Sequence, residues 1–174
     1  MSAVLRRERG ALALLLFAAA GLGISAYLTA IHYAQVAPVC TGGGVVDCTA
    51  VTQSRWSVVP GTAVPVTVPG MAYFLLSGGM AWWALRRAAQ NRDEPRLLRP
   101  AQTALSGAAL LGVLWFVWAE LVELHRICEW CTAVHLLVLA SFLVAVARLQ
   151  PAVEPVVELT EEVEPVGAAG AADT

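Results

Sequence analysis

Long uncharged stretches, separated by short groups of charged residues, dominate the pattern of the chain. Four stretches contain no Asp, Glu, Lys or Arg: residues 10–46, 57–85, 100–119 and 130–147. Each can hold a helix of roughly 17–25 residues, the length that crosses a hydrocarbon core of about 30 Å. Backbone in lipid must satisfy its own hydrogen bonds, so helices are the expected element. The pattern predicts an all-α integral membrane protein, a bundle of four transmembrane helices.

The charged groups and prolines between the stretches set the predicted boundaries. We predict one membrane domain over residues 1–150, with an outer loop at 34–69 and helices at about 10–33, 70–88, 100–124 and 129–149. Because Asp is favoured at helix N-termini, Asp47 predicts a short helix in the outer loop that ends at about Trp56. Residues 151–174 are rich in Glu, Val, Pro, Ala and Gly, which predicts a disordered acidic tail in the cytoplasm.

The composition agrees with a membrane protein. Of 174 residues, 58% are hydrophobic and 14% are charged, whereas about a quarter of a soluble domain is charged. The N-terminal arginines and the first apolar stretch also resemble a cleavable signal peptide, but this stretch is longer than the apolar region of a signal peptide, which favours a retained helix. Basic patches with interleaved aromatic residues are missing from the sequence, so nucleic-acid binding has no support.

The arginines are divided unequally between the two sides of the predicted bundle. All eleven basic residues are arginine, and nine fall on the side of the N-terminus, against only Arg55 and Arg126 on the other side. Because positive residues favour the cytoplasmic side, both termini are predicted in the cytoplasm. The four cysteines then face the outside of the cytoplasmic (inner) membrane, where disulfides form and persist.

Two cysteine pairs are the candidate chemical groups. Cys128 and Cys131 form a C-x-x-C at the start of the last helix, where the helix dipole favours the reactive thiolate. Cys40 and Cys48 flank a glycine triplet, which predicts a mobile segment and gives the access that thiol–disulfide exchange needs. The pairs therefore favour a redox relay. A zinc site is an alternative, although its ligands usually come as two closely spaced pairs, and so is a non-catalytic membrane protein with two structural disulfides.

Taken together, the four spans, Cys40-x7-Cys48, Ser54-Arg55-Trp56 and Cys128-x2-Cys131 resemble the vitamin K epoxide reductase (VKOR) family over residues 10–149. Bacterial members of that family couple disulfide formation outside the membrane to quinone reduction. The resemblance implies a thiol oxidoreductase with a quinone acceptor (menaquinone or ubiquinone) and no metal. Because the 174 residues include no fused thioredoxin-like domain, the expected partner is a separate thioredoxin-fold (DsbA-like) extracytoplasmic protein. Reduction of vitamin K quinone or epoxide is the alternative activity.

The resemblance also implies an order for the relay. Cys40 exchanges with the partner, and Cys48 passes electrons to Cys128. Cys131 then lies closest to the quinone.

Four further residues are candidate quinone contacts. Ser54 is implied to lie near the cysteines, with a helix-surface serine as the alternative, and Trp56 either covers the quinone pocket or anchors the loop at the membrane surface. His135 stands where vertebrate members have tyrosine, and it shares a helix face with Cys131 by the i, i+4 rule. An ionisable residue inside a membrane predicts function, or else a helix–helix hydrogen bond. Met71 lies near the place of a quinone-binding asparagine that this chain lacks.

Two glutamates near the outer end of the third predicted helix have a simpler interpretation. Glu120 and Glu123 lie close to the predicted membrane surface. They are expected to form a solvated collar, and delivery of protons to the quinone is the alternative.

Overall fold

The computed structural model describes residues 8–149, and this part of the chain is helical and contains no β-strand. The helices are α1 (Arg9–Ala34), α2 (Cys48–Thr52), α3 (Thr67–Ala89), α4 (Leu98–Trp118) and α5 (Glu129–Ala147). A one-turn 3₁₀ helix, Arg55–Ser57, follows α2, and a π-helical segment, Ala119–Leu124, continues α4. The predicted tail at residues 151–174 lies outside the described residues.

Three of the described helical segments are long and apolar enough to cross a membrane. They are Arg9–Ala34, Leu98–Leu124 and Glu129–Ala147, with mean hydropathies of 2.1, 1.8 and 2.2. The prediction of an all-α membrane protein is confirmed by these helices. The other long helix, α3, has 23 residues and contains threonine, serine, proline and three glycines, which reduce its apolar character. The fourth span therefore stays a prediction for α3.

The four long helices form a closed ring. Helix α1 packs against α3 and α5, and α4 packs against the same two helices from the other side. Small residues allow α1 and α3 to approach closely, as is common in membrane bundles. A Cβ atom on Gly21 would lie 2.2 Å from the ring of Phe74, and one on Gly78 would lie 3.1 Å from Ala18 Cβ. The contact between α1 and α3 thus depends on glycine.

The two ends of the ring differ in composition. The end that contains the start of α1, the α3–α4 connection and the end of α5, here the arginine end, is joined by ion pairs. The carboxylate of Glu94 accepts from Arg99 Nε at 2.7 Å and from Arg148 Nη2 at 2.9 Å, and Glu8 lies 3.7 Å from the same nitrogen of Arg148. The opposite end contains all four cysteines and is called the cysteine end.

Several boundaries differ from the predicted ones because proline is tolerated in a first helical turn. Helix α3 begins at Thr67, three residues before the predicted start, and includes Pro69 in its first turn. Helix α4 likewise begins at Leu98, ahead of Pro100. A first-turn proline lacks an N–H that would have no partner within the helix in any case.

The short helix predicted between Asp47 and Trp56 is divided into two pieces. Asp47 caps α2 by accepting a hydrogen bond from Ala50 N at 2.9 Å. After α2 ends at Thr52, the chain turns into the 3₁₀ helix, which Ser54 caps in the same way. Because this second cap begins a separate helical turn, Trp56 belongs to the 3₁₀ helix and not to α2.

Candidate functional site

The two cysteine pairs lie side by side at the cysteine end. Cys40 and Cys48 form a disulfide, whereas Cys128 and Cys131 are free thiols. Cys48 and Cys128 are both fully buried in one apolar cluster with Val51, and Cys40 and Cys131 pack against that cluster. The fold therefore brings together two pairs that are eighty residues apart in the sequence.

Hydrogen bonds hold the segment between Cys40 and Cys48 against the start of α5. Ile127 N donates to Val45 O and Asp47 N donates to Ile127 O, both at 3.0 Å. On the other side of the glycine triplet, Thr41 donates to the Glu129 carboxylate from its backbone nitrogen and its hydroxyl, at 3.2 and 2.9 Å. The sequence predicted a mobile segment, but its two ends are fixed, and Arg126 Nη1 also donates to Gly44 O at 3.3 Å, so the structure holds the whole segment against its neighbours.

Within the second pair, Cys128 is the residue that the helix start activates. Its Sγ caps α5 by accepting a hydrogen bond from Cys131 N at 3.3 Å. Hydrogen bonds from the thiol and the backbone N–H of Cys131 hold the pKa of the Cys128 thiol below its ordinary value, although burial opposes this effect. The geometry is that of a thiolate at a helix N-terminus, which is a nucleophile for disulfide exchange.

A cavity of about 270 Å³ lies between the four long helices and α2, next to this pair. Its walls are mainly apolar, with Phe74 of α3, Phe116 of α4 and Val134 and Val138 of α5 among them. Cys131 lines the cavity, whereas Cys128 is fully buried in the cluster with Cys48. Small-molecule sites are typically about 300–1,000 Å³, mostly apolar and supplied with a few polar groups.

The polar groups of the cavity come from every long helix. His32 lies on α1, Tyr73 on α3, Glu120 on the π-helical segment and His135 on α5. His135 lies one turn after Cys131, so both side chains face the same space, as their spacing predicts. The cavity therefore combines a thiol, two imidazoles, a phenol and a carboxyl group with apolar walls.

Two of the four predicted contact residues, Trp56 and His135, line this cavity, and the other two do not. Ser54 instead donates to Val51 O at 2.8 Å and caps the 3₁₀ helix. Met71 is one residue beyond Gly70, which does line the cavity. One residue rotates a helix by about 100°, so the face of α3 that contains Gly70 directs Met71 elsewhere.

Trp56 covers one side of the cavity with support from α4. Its ring packs edge-on against Trp115 and Trp118, with centroid separations of 5.7 and 5.9 Å. Arg55 lies over the Trp56 ring at 5.1 Å and pairs with Glu123 at 3.3 Å. The ion pair and the aromatic contacts together connect the 3₁₀ helix to α4.

The structure corrects the prediction that Glu120 and Glu123 both belong to a solvated collar. Glu120 is 6% exposed and lines the cavity, so it does not belong to a solvated collar, whereas the side chain of Glu123 is 35% exposed and ion-paired. The spacing held a signal for this: Glu120 follows Phe116 and Val113 by four and seven residues, which places all three on one helix face. The sequence analysis missed this spacing because Glu120 lies close to the predicted membrane surface, where a solvated side chain is expected.

Comparison with known proteins adds one match. Residues 12–146 match the model of the Vitamin K epoxide reductase family. No curated protein matches the chain. Within residues 8–149, no group of three or more His, Cys, Asp or Glu side chains is arranged so that it could hold a metal ion.

Proposed function

The chain belongs to the vitamin K epoxide reductase family, and on that premise we propose that it reoxidises a thioredoxin-fold (DsbA-like) extracytoplasmic protein and passes the electrons to a membrane quinone. In this proposal the chain supports disulfide bond formation outside the cytoplasmic membrane. The observation that carries the proposal is the shared burial of Cys48 and Cys128 beside a cavity that Cys131 lines.

The proposal includes a topology with four spans. Helix α3 is the fourth span, since it packs between α1 and α4 in the ring and its 23 residues are sufficient for a bilayer. The arginine end faces the cytoplasm by the positive-inside rule. Cys40 and its neighbours then face the extracytoplasmic side, where a soluble thiol protein meets them.

Electrons enter through the Cys40–Cys48 disulfide. A thiolate of the partner attacks Cys40, which is partly exposed while Cys48 is fully buried, and this breaks the Cys40–Cys48 bond. The second thiol of the partner then displaces Cys40. The partner leaves with a disulfide, and Cys40 and Cys48 hold its two electrons as thiols.

Transfer to the second pair uses the contact between Cys48 and Cys128. The Cys48 thiolate attacks Cys128 Sγ of a Cys128–Cys131 disulfide, and Cys131 leaves as a thiolate. Cys40 then attacks Cys48, which restores the Cys40–Cys48 disulfide and releases Cys128. The products are a disulfide in the first pair and two free thiols in the second, and the structure has this arrangement.

The cavity fits a quinone head group by size and by chemistry. Its apolar walls suit an aromatic ring, and the imidazole of His135 can donate a hydrogen bond to a ring oxygen. When bound, a quinone supplies a two-electron acceptor for the Cys128–Cys131 dithiol. Trp56 closes the cavity toward the loop and keeps water away from the exchanging sulfur atoms.

The test is quinone reduction by the purified full chain in lipid nanodiscs. A short-chain ubiquinone or a menaquinone analogue is supplied with a reduced thioredoxin-fold protein, and quinone absorbance is followed. We expect reduction by the native chain and none above background for Cys131→Ala. Native rates in Cys131→Ala would contradict the relay, and an inactive native chain would favour a non-catalytic protein with a structural disulfide.

A trapping experiment tests the proposed contact directly. In a Cys40→Ala, Cys131→Ala double variant, Cys48 and Cys128 keep no other partner, so mild oxidation should join them. The matched control, Cys48→Ala with Cys131→Ala, leaves Cys40 and Cys128 and should give much less cross-link. Mass mapping under non-reducing conditions distinguishes the two, and equal cross-linking in both variants would count against the proposed order.

A further inference from the structure

Glu120 is a buried carboxyl group at the point where the second cysteine pair meets the cavity. It is 6% exposed and lines the cavity together with Cys131. Within residues 8–149, neither an arginine nor a histidine forms an ion pair with it. A buried carboxyl without a cationic partner is costly in a membrane, so a structural ion pair does not explain its position.

The helical backbone becomes irregular at Glu120. Helix α4 changes to π-helical geometry at Ala119, and the segment ends where Arg126 N donates to Glu120 O at 3.0 Å. His125 ends it in the left-handed conformation, with φ of 51°. An added residue in a helical turn rotates the following side chains, and such segments are frequent at functional sites. The same stretch leaves Glu123 at the surface.

We propose that Glu120 is a catalytic residue that accepts the proton of Cys131 when the Cys128–Cys131 disulfide forms and holds it at the edge of the cavity. This step rests on the proposed function, since the electrons need an acceptor. Cys131 and Glu120 line the same cavity, so the proton passes between them directly or through one water molecule.

The step balances in atoms and charge. In the reduced pair Cys128 is a thiolate and Cys131 a thiol. Formation of the S–S bond releases two electrons, which go to the quinone acceptor, and one proton, which moves from Cys131 Sγ to Glu120. Complete reduction of a quinone would consume two protons: Glu120 releases one and returns to the carboxylate, and water supplies the second, which replaces the proton that Cys128 lost when its thiolate formed.

Hydrogen bonding explains why Glu120 keeps the proton until an acceptor takes it. In the reduced state the one S–H of Cys131 can be donated to the Cys128 thiolate or to the carboxylate of Glu120. The disulfide has no S–H, so a buried carboxylate then has no thiol donor and the neutral carboxylic acid becomes favoured. Other titratable groups also face this region from each packed element: His32 of α1, Tyr73 of α3, His135 of α5, Cys128 before α5, and the Arg55–Glu123 pair near the 3₁₀ helix.

Isotope-edited infrared spectroscopy tests the proton transfer without a quinone. The full chain, labelled with ¹³C-carboxyl glutamate, is poised reduced and oxidised in dithiothreitol buffers, and the two spectra are subtracted. We expect oxidation to produce a protonated glutamate band in the native chain and in Glu123→Gln, and no such band in Glu120→Gln. Absence of the band from the native chain, or its persistence in Glu120→Gln, would overturn the proposal, and the native measurement stands even if a variant misfolds.

Kinetics separate this proposal from the proposed function. Loss of a general base should slow quinone reduction about 100-fold in Glu120→Gln, while exchange between the partner and Cys40 keeps its native rate. Glu123→Gln is the matched control and should keep the native rate of quinone reduction. A native chain that gives the infrared band but reduces no quinone would contradict the proposed function alone, whereas quinone reduction without the band would contradict the role of Glu120 alone.

Discussion

Each end of the bundle contains a largely buried glutamate, Glu94 at the arginine end and Glu120 at the cysteine end, but their electrostatic surroundings differ. At the arginine end, the ion pairs of Glu94 with Arg99 and Arg148 connect three chain segments, and the side chains of Glu94 and Arg148 are only 13% and 11% exposed. At the cysteine end, Glu120 is buried and borders a cavity, and within residues 8–149 it forms no ion pair. Removal of one partner from a buried ion pair is costly, whereas a buried carboxyl group outside any ion pair, at the edge of a cavity, is a candidate for chemistry.

The ends also differ in backbone regularity. The arginine end has regular helices and a short connection between α3 and α4. The cysteine end has two short helices and a π-helical segment, whereas a left-handed residue occurs at both ends, as Asn91 and as His125. Irregular backbone at membrane depth is tolerated where it is buried in protein or lines a cavity. We therefore expect variants at the cysteine end to affect activity first, and variants at the arginine end to affect stability first.

The largest effect is expected for Cys128→Ser. Serine is a poor nucleophile for exchange and cannot form a disulfide, so quinone reduction should fall to below about one-thousandth of the native rate. The Cys40–Cys48 disulfide should still form, and the midpoint of thermal unfolding should stay close to the native value. Residual activity above a tenth of the native rate would contradict the assignment of activity to the cysteine end, because quinone reduction would then not require the buried Cys128 thiol.

Arg148→Ala should give the largest loss of stability. It leaves the carboxylate of Glu94 buried with one cationic partner fewer and the nearby Glu8 with none, and loss of a buried partner costs about 3 kcal/mol. Denaturant unfolding in micelles measures the change, and activity per folded molecule should be native. Arg86→Ala is the control at the same end, because Arg86 forms no ion pair within residues 8–149 and its guanidinium lies over the face of Trp82 at 6.0 Å; an equal loss there would contradict a specific role for the ion pairs.

Gly21→Ala tests the helix contact that supports the cavity. Its Cβ would overlap the ring of Phe74, which lines the cavity, so the ring must shift. We expect a loss of about 2 kcal/mol in the free energy of unfolding and a raised KM for quinone. Gly23→Ala is the control, since a Cβ there meets no atom within 4 Å. Similar behaviour of the two variants would show that the α1–α3 contact does not shape the cavity.

The smallest effect is expected for Arg55→Ala. The Arg55 side chain is 77% exposed, so its ion pair with Glu123, at 3.3 Å, is screened by water and salt. The free energy of unfolding should change by less than about 1 kcal/mol, far less than for Arg148→Ala. A comparable loss from both arginines would show that exposure does not distinguish the two ends.

Local sequence patterns were sufficient to predict the class of the fold. The uncharged stretches and the positions of the prolines predicted helices whose bounds differ from the structure by a few residues. The cysteine spacing and the Ser54-Arg55-Trp56 element were sufficient for the family. The spacing of Cys131 and His135 was sufficient to place both on one helix face, because periodicity within a helix is fixed by the backbone.

Only the tertiary structure decided which groups from different helices meet. The proximity of Cys48 to Cys128, the tie between Thr41 and Glu129, and the exclusion of Ser54 and Met71 from the cavity depend on how the segments pack. The burial of Glu120 agrees with its spacing from Phe116 and Val113, but the groups that it meets in the cavity depend on how α4 packs against α5. Local hydrogen bonding and hydrophobicity determine helices, whereas the distance between two side chains on separate helices is set by the packing of the whole ring.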